Sequence, residues 1–107
     1  MEVTKTLARF VVTHNRRDLP EKVRHEAARS FLNWMGCAVG ACRHETIDRA
    51  LAALAEFSGP EQATVLGRGE RVDAMLAALI NGTSSHIFDF DDTHLRTIVH
   101  PAGQRYR

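Results

Sequence analysis

The chain has 107 residues, of which 44% are hydrophobic and 25% charged, and its formal net charge at pH 7 is +1. This length allows at most one small domain. The near-neutral charge, with basic residues scattered along the chain, argues against a dedicated nucleic-acid-binding protein. No stretch approaches the roughly twenty apolar residues that span a membrane, and the N-terminus lacks the apolar core of a signal peptide. We therefore expect a globular domain without a nucleic-acid or membrane partner.

The two cysteines, Cys37 and Cys42, bear on the compartment. They lie in a segment of small residues and lack the paired spacing of a zinc site. Buried free thiols are typical of proteins in a reducing cytosol. The sequence therefore predicts a cytoplasmic protein.

Apolar spacing predicts two helices in the first part of the chain. Side chains recur at intervals of three and four over residues 3–14, where Thr4 is the candidate N-cap. Pro20 suits the first position of a second helix, because its missing N–H would be unpaired there. The apolar stripe of this second helix consists of Val23, Ala27, Ala28, Phe31, Leu32 and Met35. The helix continues into the small residues 36–42, which should pack closely against another helix.

The second part of the chain predicts two further helices around one extended segment. Helical spacing recurs over residues 45–57, and the β-branched residues in 63–66 predict a short strand before a Gly-Arg-Gly turn. Asp73 is the candidate N-cap of a last helix, which is apolar on every side over residues 74–80 and continues past Gly82. The predicted fold is mainly α, with four helices and one short extended segment.

Polar chemistry is concentrated in residues 81–100. Continuation of the last helix would place His86, Asp89 and Thr93 on one face, because residues three and four apart are neighbours on a helix. An imidazole titrates near neutrality and can move a proton in either direction beside a carboxylate. The stretch holds three histidines and three aspartates: His86, His94, His100, Asp89, Asp91 and Asp92. It is the predicted functional site.

Two other types of site are alternative interpretations of the same residues. Residues 89–93 fit the D-x-D-x-T motif of haloacid-dehalogenase-type phosphatases, in which one aspartate is the nucleophile and another the general acid, beside magnesium. That motif should follow a strand of a parallel sheet, whereas here it follows an apolar helical segment. A divalent metal site is the other alternative, with the candidate ligands Asp91, Asp92, His94 and His100. Solvated helix-end carboxylates that pair with Arg96 explain the two adjacent aspartates equally well.

The same stretch resembles the signature of the MmgE/PrpD family. The resemblance is carried by Asn81-Gly82-Thr83, by His86, by residues 89–94 and by His100-Pro101, and it extends over about residues 3–103. That family includes 2-methylcitrate dehydratase, cis-aconitate decarboxylase and an iminodisuccinate epimerase. The resemblance implies a helical domain that carries the active site and a second α/β domain that covers it. It also implies acid–base reactions of small di- and tricarboxylates without a metal or an organic cofactor.

The resemblance implies roles for individual residues. Asp89, Thr93 and His100 match the family's catalytic aspartate, threonine and histidine, and His86 and His94 are expected to bind the substrate. No residue is assigned as a metal ligand. We also expect a homo-oligomer, because four helices cannot fully surround the apolar helix over residues 74–80.

The chain departs from the family pattern at several points. Asn33 stands where many members carry an aspartate, and the family's later lysine, histidine and tyrosine have no counterpart. Residues 104–107 replace the start of an apolar helix. We therefore expect residues 1–107 to be a truncated N-terminal helical domain without the second domain, and to be inactive alone. The alternative is a non-catalytic helical remnant that packs on a partner chain.

Overall fold

A computed structural model of the chain describes residues 2–90 and 92–100. The predicted mainly α fold is confirmed, since the described residues form four α-helices and one small sheet. No helix in these ranges is both long and apolar enough to cross a bilayer. In chain order the elements are α1 (Val3–Thr13), α2 (Glu21–Ala41), α3 (Glu45–Leu54), β1 (Ala63–Thr64), β2 (Arg71–Val72) and α4 (Ala74–His86), with short 3₁₀ turns at Arg16–Asp18 and Ala55–Phe57.

Two predicted helix starts are corrected by one or two positions. α1 begins at Val3 with Glu2 at the N-cap position. Thr4 therefore lies inside the first turn and is not the cap. Pro20 is the residue before α2 rather than its first residue. Its carbonyl accepts the first bond of the helix, from the N–H of Arg24 at 3.1 Å.

The extended segment is one half of an antiparallel pair, in which Ala63 lies opposite Val72. The sequence predicted β1 but missed β2, because two residues give no alternating pattern. The turn between them was predicted and is present. Gly67 has a φ of +75°, and a Cβ at this position would lie 2.6 Å from Sγ of Cys42. Only glycine fits both the backbone angle and the space.

The main core forms where α3, the hairpin and α4 meet. Ile47 and Ile80 have no exposed surface. The apolar run over residues 74–80 is only partly covered, since Met75 and Leu79 are 84% and 54% exposed. The core cluster consists of Ile47, Leu51, Val65, Val72, Leu76, Ala77 and Ile80.

α2 packs along α4 through small side chains, as the sequence predicted. Ala38 and Ala41 of α2 are buried, and so are Ser84 and Ser85 of α4. The hydroxyl of Ser84 donates to the carbonyl of Ala38 at 2.6 Å. Small residues let the two helix axes approach closely. This contact fixes the C-terminal end of α4 against the C-terminal end of α2.

The predicted apolar stripes of α1 and α2 are largely exposed. None of the residues of α1, all of which the structure describes, is buried. In α2 the buried residues are Trp34, Ala38 and Ala41, whereas Val23 and Leu32 are exposed. The buried residues of α2 therefore lie outside the apolar stripe that the sequence identified. The radius of gyration of 15.9 Å exceeds the value of about 13 Å expected for a compact chain of this length.

Asp73 caps α4, as predicted. One carboxylate oxygen accepts from the N–H groups of Met75 and Leu76 at 2.9 and 3.1 Å. The other accepts from the hydroxyl of Ser58 at 2.9 Å and from the N–H of Gly59 at 3.2 Å. These bonds favour the charged form and lower the pKa of Asp73, the bond from Leu76 contributing most. Asp73 therefore joins the start of α4 to the segment that follows α3.

The lowered pKa of Asp73 predicts how its contribution to stability depends on pH. The stabilisation by the carboxylate is fully present above 3.8, the ordinary value, and is lost as the pH falls through the lowered pKa. We expect Asp73→Asn, which keeps a capping oxygen without the charge, to have a lower Tm than the parent chain at neutral pH. The difference should close in acid. A Tm difference that stays constant on acidification, followed by circular dichroism, would contradict this account.

Candidate functional site

α4 ends at His86, and the chain then reverses direction through Asp89. The N–H of Asp89 donates to the carbonyl of His86 at 3.1 Å. Asp89 has a φ of +54°, a left-handed conformation that aspartate adopts more readily than most residues. The prediction that His86, Asp89 and Thr93 share one helical face was therefore wrong. The helix stops before Asp89, and a turn rather than helical spacing brings Asp89 back toward His86.

A second turn returns the chain to the same place. The N–H of His94 donates to the carbonyl of Val99 at 2.8 Å, which closes a loop over residues 94–99. This places His100 next to the residues that precede the loop. Its Nδ1 lies 3.1 Å from the carbonyl oxygen of Asp92 and 3.3 Å from Oγ1 of Thr93.

The two turns bring four of the five predicted site residues together. The rings of His86 and His100 have centroids 5.0 Å apart and planes inclined at 69°. One nitrogen of each ring and a carboxylate oxygen of Asp89 all lie within 4.8 Å of one another. His86 and Asp89 are exposed, and His100 is half-buried. With Thr93 against His100, the arrangement joins two imidazoles, a carboxylate and a hydroxyl.

His94 is the predicted site residue that stands apart. Its Nδ1 lies 2.8 Å from the hydroxyl of Thr97, within the loop that His94 itself closes. The geometry gives His94 a place in shaping the loop that carries His100. Its role in binding substrate remains a prediction.

The contact between His100 and the carbonyl of Asp92 favours the tautomer with the proton on Nδ1. A carbonyl oxygen only accepts hydrogen bonds, so this contact is a hydrogen bond in the tautomer that carries its hydrogen on Nδ1. In a neutral imidazole Nε2 is then the basic nitrogen. The backbone thus holds the ring through Nδ1.

A divalent metal could be held by one group of residues in this region. Two imidazoles and one carboxylate suit several transition metals, and His86, Asp89 and His100 supply them within 4.8 Å. The metal alternative drawn from the sequence named a different set. Asp91 lies outside the described residues, and Asp92 and His94 do not belong to the group.

The phosphatase alternative requires a strand of a parallel sheet in front of Asp89. The element in front of Asp89 is α4, and the sheet in the described ranges is an antiparallel pair of two-residue strands. The D-x-D-x-T match therefore lies in a loop that follows a helix, and the structure does not support a phosphatase.

Asn33 is a site residue that the sequence did not single out as functional. Its side-chain oxygen accepts from the N–H of Asp92 at 3.1 Å, and its side-chain nitrogen donates to the carbonyl of Phe90 at 3.4 Å. α2 thereby holds the loop that leads to His100. Two signals were present in the sequence: an asparagine between Leu32 and Trp34 in an otherwise apolar part of α2, and the aspartate that the resemblance implies at this position in many members of the family.

Asn81, in the stretch that carries the resemblance, has a structural role. Its side-chain oxygen accepts from the N–H of Leu66 at 2.9 Å, and its nitrogen donates to the carbonyl of Thr64 at 3.0 Å. It ties the hairpin to α4. Part of the polar stretch therefore supports the fold rather than the chemistry.

Two shallow grooves flank the site. An apolar groove of about 370 Å³ follows the face of α4 formed by Ala78, Leu79, Gly82 and Thr83, and includes His86 and Ile87. It does not include Asp89 or His100. A polar groove of about 250 Å³ lies on the α2 side, lined by Glu26, Arg29, Ser30, Asn33 and Asp92.

The fold and the site define a mainly helical domain that presents a histidine- and carboxylate-bearing loop at the end of its most buried helix. A family profile described as the MmgE/PrpD N-terminal domain matches residues 5–105, nearly the whole chain. The chain belongs to the MmgE/PrpD family, as its sequence predicted. Searches of curated proteins and of solved structures give no match.

Proposed function

We propose that this chain carries one wall of the active site of an MmgE/PrpD-type lyase or isomerase, of the 2-methylcitrate dehydratase kind, that acts on small di- or tricarboxylates. The observation that supports it is the assembly of His100, Asp89 and Thr93 by two turns after α4, with Nδ1 of His100 on the carbonyl of Asp92. A neutral imidazole with one nitrogen held and the other presented is suited to proton transfer.

Each residue has a defined part in this proposal. His100 exchanges the proton of the carbon beside the substrate carboxylate through Nε2. Asp89 orients the imidazole or shares its role as base, since its carboxylate lies within 4.8 Å. The hydroxyl of Thr93 and the ring of His86 bind a substrate carboxylate. His94 also binds the substrate when the loop contacts it. The reaction uses no metal or organic cofactor.

The second domain that the family resemblance implies would close the site. Acid–base catalysis needs a substrate held in place as well as a proton acceptor. We propose that residues 1–107 alone have no dehydratase, decarboxylase or epimerase activity. The test is a chimera that joins residues 1–103 to the remaining sequence of an active family member, assayed on 2-methylcitrate, cis-aconitate and iminodisuccinate. Turnover of at least one substrate, unchanged by chelator, would support the proposal. A folded chimera without activity, or with activity that chelator abolishes, would contradict it.

We also place the protein in the cytosol. Neither Cys37 nor Cys42 forms a disulfide, and Cys42 is buried. Free thiols persist in a reducing compartment.

A non-catalytic partner-binding module is the second candidate function, and the exposed apolar stripes favour it. α1 exposes Val3, Leu7, Phe10 and Val11, and α2 exposes Val23 and Leu32. Each such side chain that becomes buried contributes about 1.5–3 kcal/mol. We propose that these stripes pack against a second copy of the chain.

Sedimentation equilibrium tests this self-association. The expected species has about twice the chain mass of 12.0 kDa. Leu7→Glu should shift it to monomer, because a charge would be buried in the contact. Leu95→Glu is the matched control, since Leu95 is exposed in the loop after the helices and should leave the mass unchanged. A parent chain that sediments as a monomer would rule out the dimer.

A further inference from the structure

We propose that Asn33, on α2, is a positioning residue that sets the tautomer and orientation of His100. The catalytic consequence of this inference rests on the proposed function. The contacts of Asn33 with the loop do not depend on that function. Asn33 belongs to α2, 59 residues before Asp92 in the chain. It has no contact with the reacting atoms in this account and acts through the backbone.

Asn33 holds the loop by two hydrogen bonds. The side-chain amide places its oxygen on the N–H of Asp92 and its nitrogen on the carbonyl of Phe90. An amide is the side chain that combines one acceptor and two donors, so one residue satisfies two backbone groups of opposite kind. This orientation of the amide is the one that pairs donor with acceptor at both ends.

The loop in turn contacts the imidazole. The N–H of Asp92 is held by Asn33, and the carbonyl of the same residue accepts from Nδ1 of His100 at 3.1 Å. Two consecutive peptide groups are thus fixed between α2 and the ring. A turn or rotation of residue 92 would move the carbonyl away from Nδ1. Because the hydrogen bond on one ring nitrogen decides which nitrogen is basic, Asn33 determines that Nε2 is presented.

The loop between Asp92 and His100 needs an anchor from outside. Asp92 and His100 are joined by a loop that contains Ile98 at a φ of +53°. A β-branched residue is rarely found in that conformation, which is strained and persists only where surrounding contacts impose it. The hydrogen bond that closes this loop lies between His94 and Val99. Asn33 supplies an anchor outside the loop, on a helix packed against α4.

Nitrogen–proton correlation spectra of the histidine rings test the proposal on the chain itself. In mildly alkaline solution, where imidazole is neutral, His100 of the parent chain should show its proton on Nδ1. Asn33→Ala should lose this preference and give a mixture of tautomers. Asn33→Asp keeps an acceptor for the N–H of Asp92 but no donor for Phe90, and should fall between the two. Ser30→Ala is the control, one turn earlier on α2 and in the same groove, and should match the parent.

The chimera gives a second readout. Asn33→Ala should lower turnover by about 10–100-fold, by analogy with the loss found when partners that orient a metal-ligating histidine are removed, with little change in KM. An unaltered His100 tautomer in a folded Asn33→Ala chain would overturn the positioning role. If the tautomer changes and turnover does not, Asn33 still positions His100, and it is the proposed catalytic function that fails.

Discussion

Replacing His100 by glutamine is expected to lower turnover of the chimera by about 10²–10⁴-fold, the usual contribution of a positioned acid or base. Glutamine keeps a polar side chain of similar reach but cannot exchange a proton near neutral pH. The loss should fall on turnover more than on KM, because the role assigned to His100 is proton transfer rather than binding. Steady-state kinetics on the substrate that the parent chimera prefers would measure it.

Two further variants test the residues that contact His100. Asp89→Asn should cause a loss of similar size, since its carboxylate lies beside both imidazoles. Asp92→Asn should cost less, because Asp92 acts on His100 through its backbone carbonyl. His25→Gln, an exposed histidine on α2, is the control for the substitution and should retain full activity. Full activity of His100→Gln would remove the catalytic assignment.

Ile80→Ala is expected to lower the free energy of unfolding by about 2–5 kcal/mol, the cost of removing a buried aliphatic side chain and leaving a cavity. Ile80 has no exposed surface and lies in the cluster that joins α3, the hairpin and α4. Folded domains have a total stability of about 5–15 kcal/mol. The variant should therefore be marginally folded at room temperature, as urea titration followed by circular dichroism would show.

Leu79→Ala is the matched control for Ile80→Ala. Leu79 is the preceding residue on the same helix, but its side chain is 54% exposed. Its truncation should cost clearly less than that of Ile80. Equal losses at the two positions would mean that α4 is buried on both faces in solution, as in an oligomer.

The sequence predicted the helices well because their signals are local. Spacings of three and four, the Asp73 cap and the Gly-Arg-Gly turn each depend on a few neighbouring residues, and all three are present in the structure. β2 was missed because its two residues are defined by pairing with β1 and not by a pattern of their own.

Burial was predicted less well, because it depends on what lies opposite each face. The stripe of α2 has the right period, but the buried residues of α2 are Trp34, Ala38 and Ala41. These three follow helical spacing too, and the choice between two faces of one helix is decided by the partner. The exposed stripes are the surfaces on which the proposed self-association depends.

The candidate site was predicted in its residues but not in its geometry. Residue types pointed to residues 81–100, and the family resemblance selected His86, Asp89, Thr93 and His100 within that stretch. The sequence predicted that helical spacing brings them together. The helix instead ends before Asp89, which has a left-handed backbone conformation. The contacts of Asn33 join positions 57 and 59 residues apart, and no local pattern predicts bonds over that distance.

Solvent hydrogen exchange into the substrate tests the central claim most directly. In heavy water the active chimera should exchange deuterium into the carbon beside the substrate carboxylate, as mass spectrometry of recovered substrate and product would show. His100→Gln should slow this exchange by about 10²–10⁴-fold, and His25→Gln should leave it unchanged. Exchange at the same rate in the parent chimera and in His100→Gln would show that the proton is moved elsewhere, and would contradict the site described for this chain.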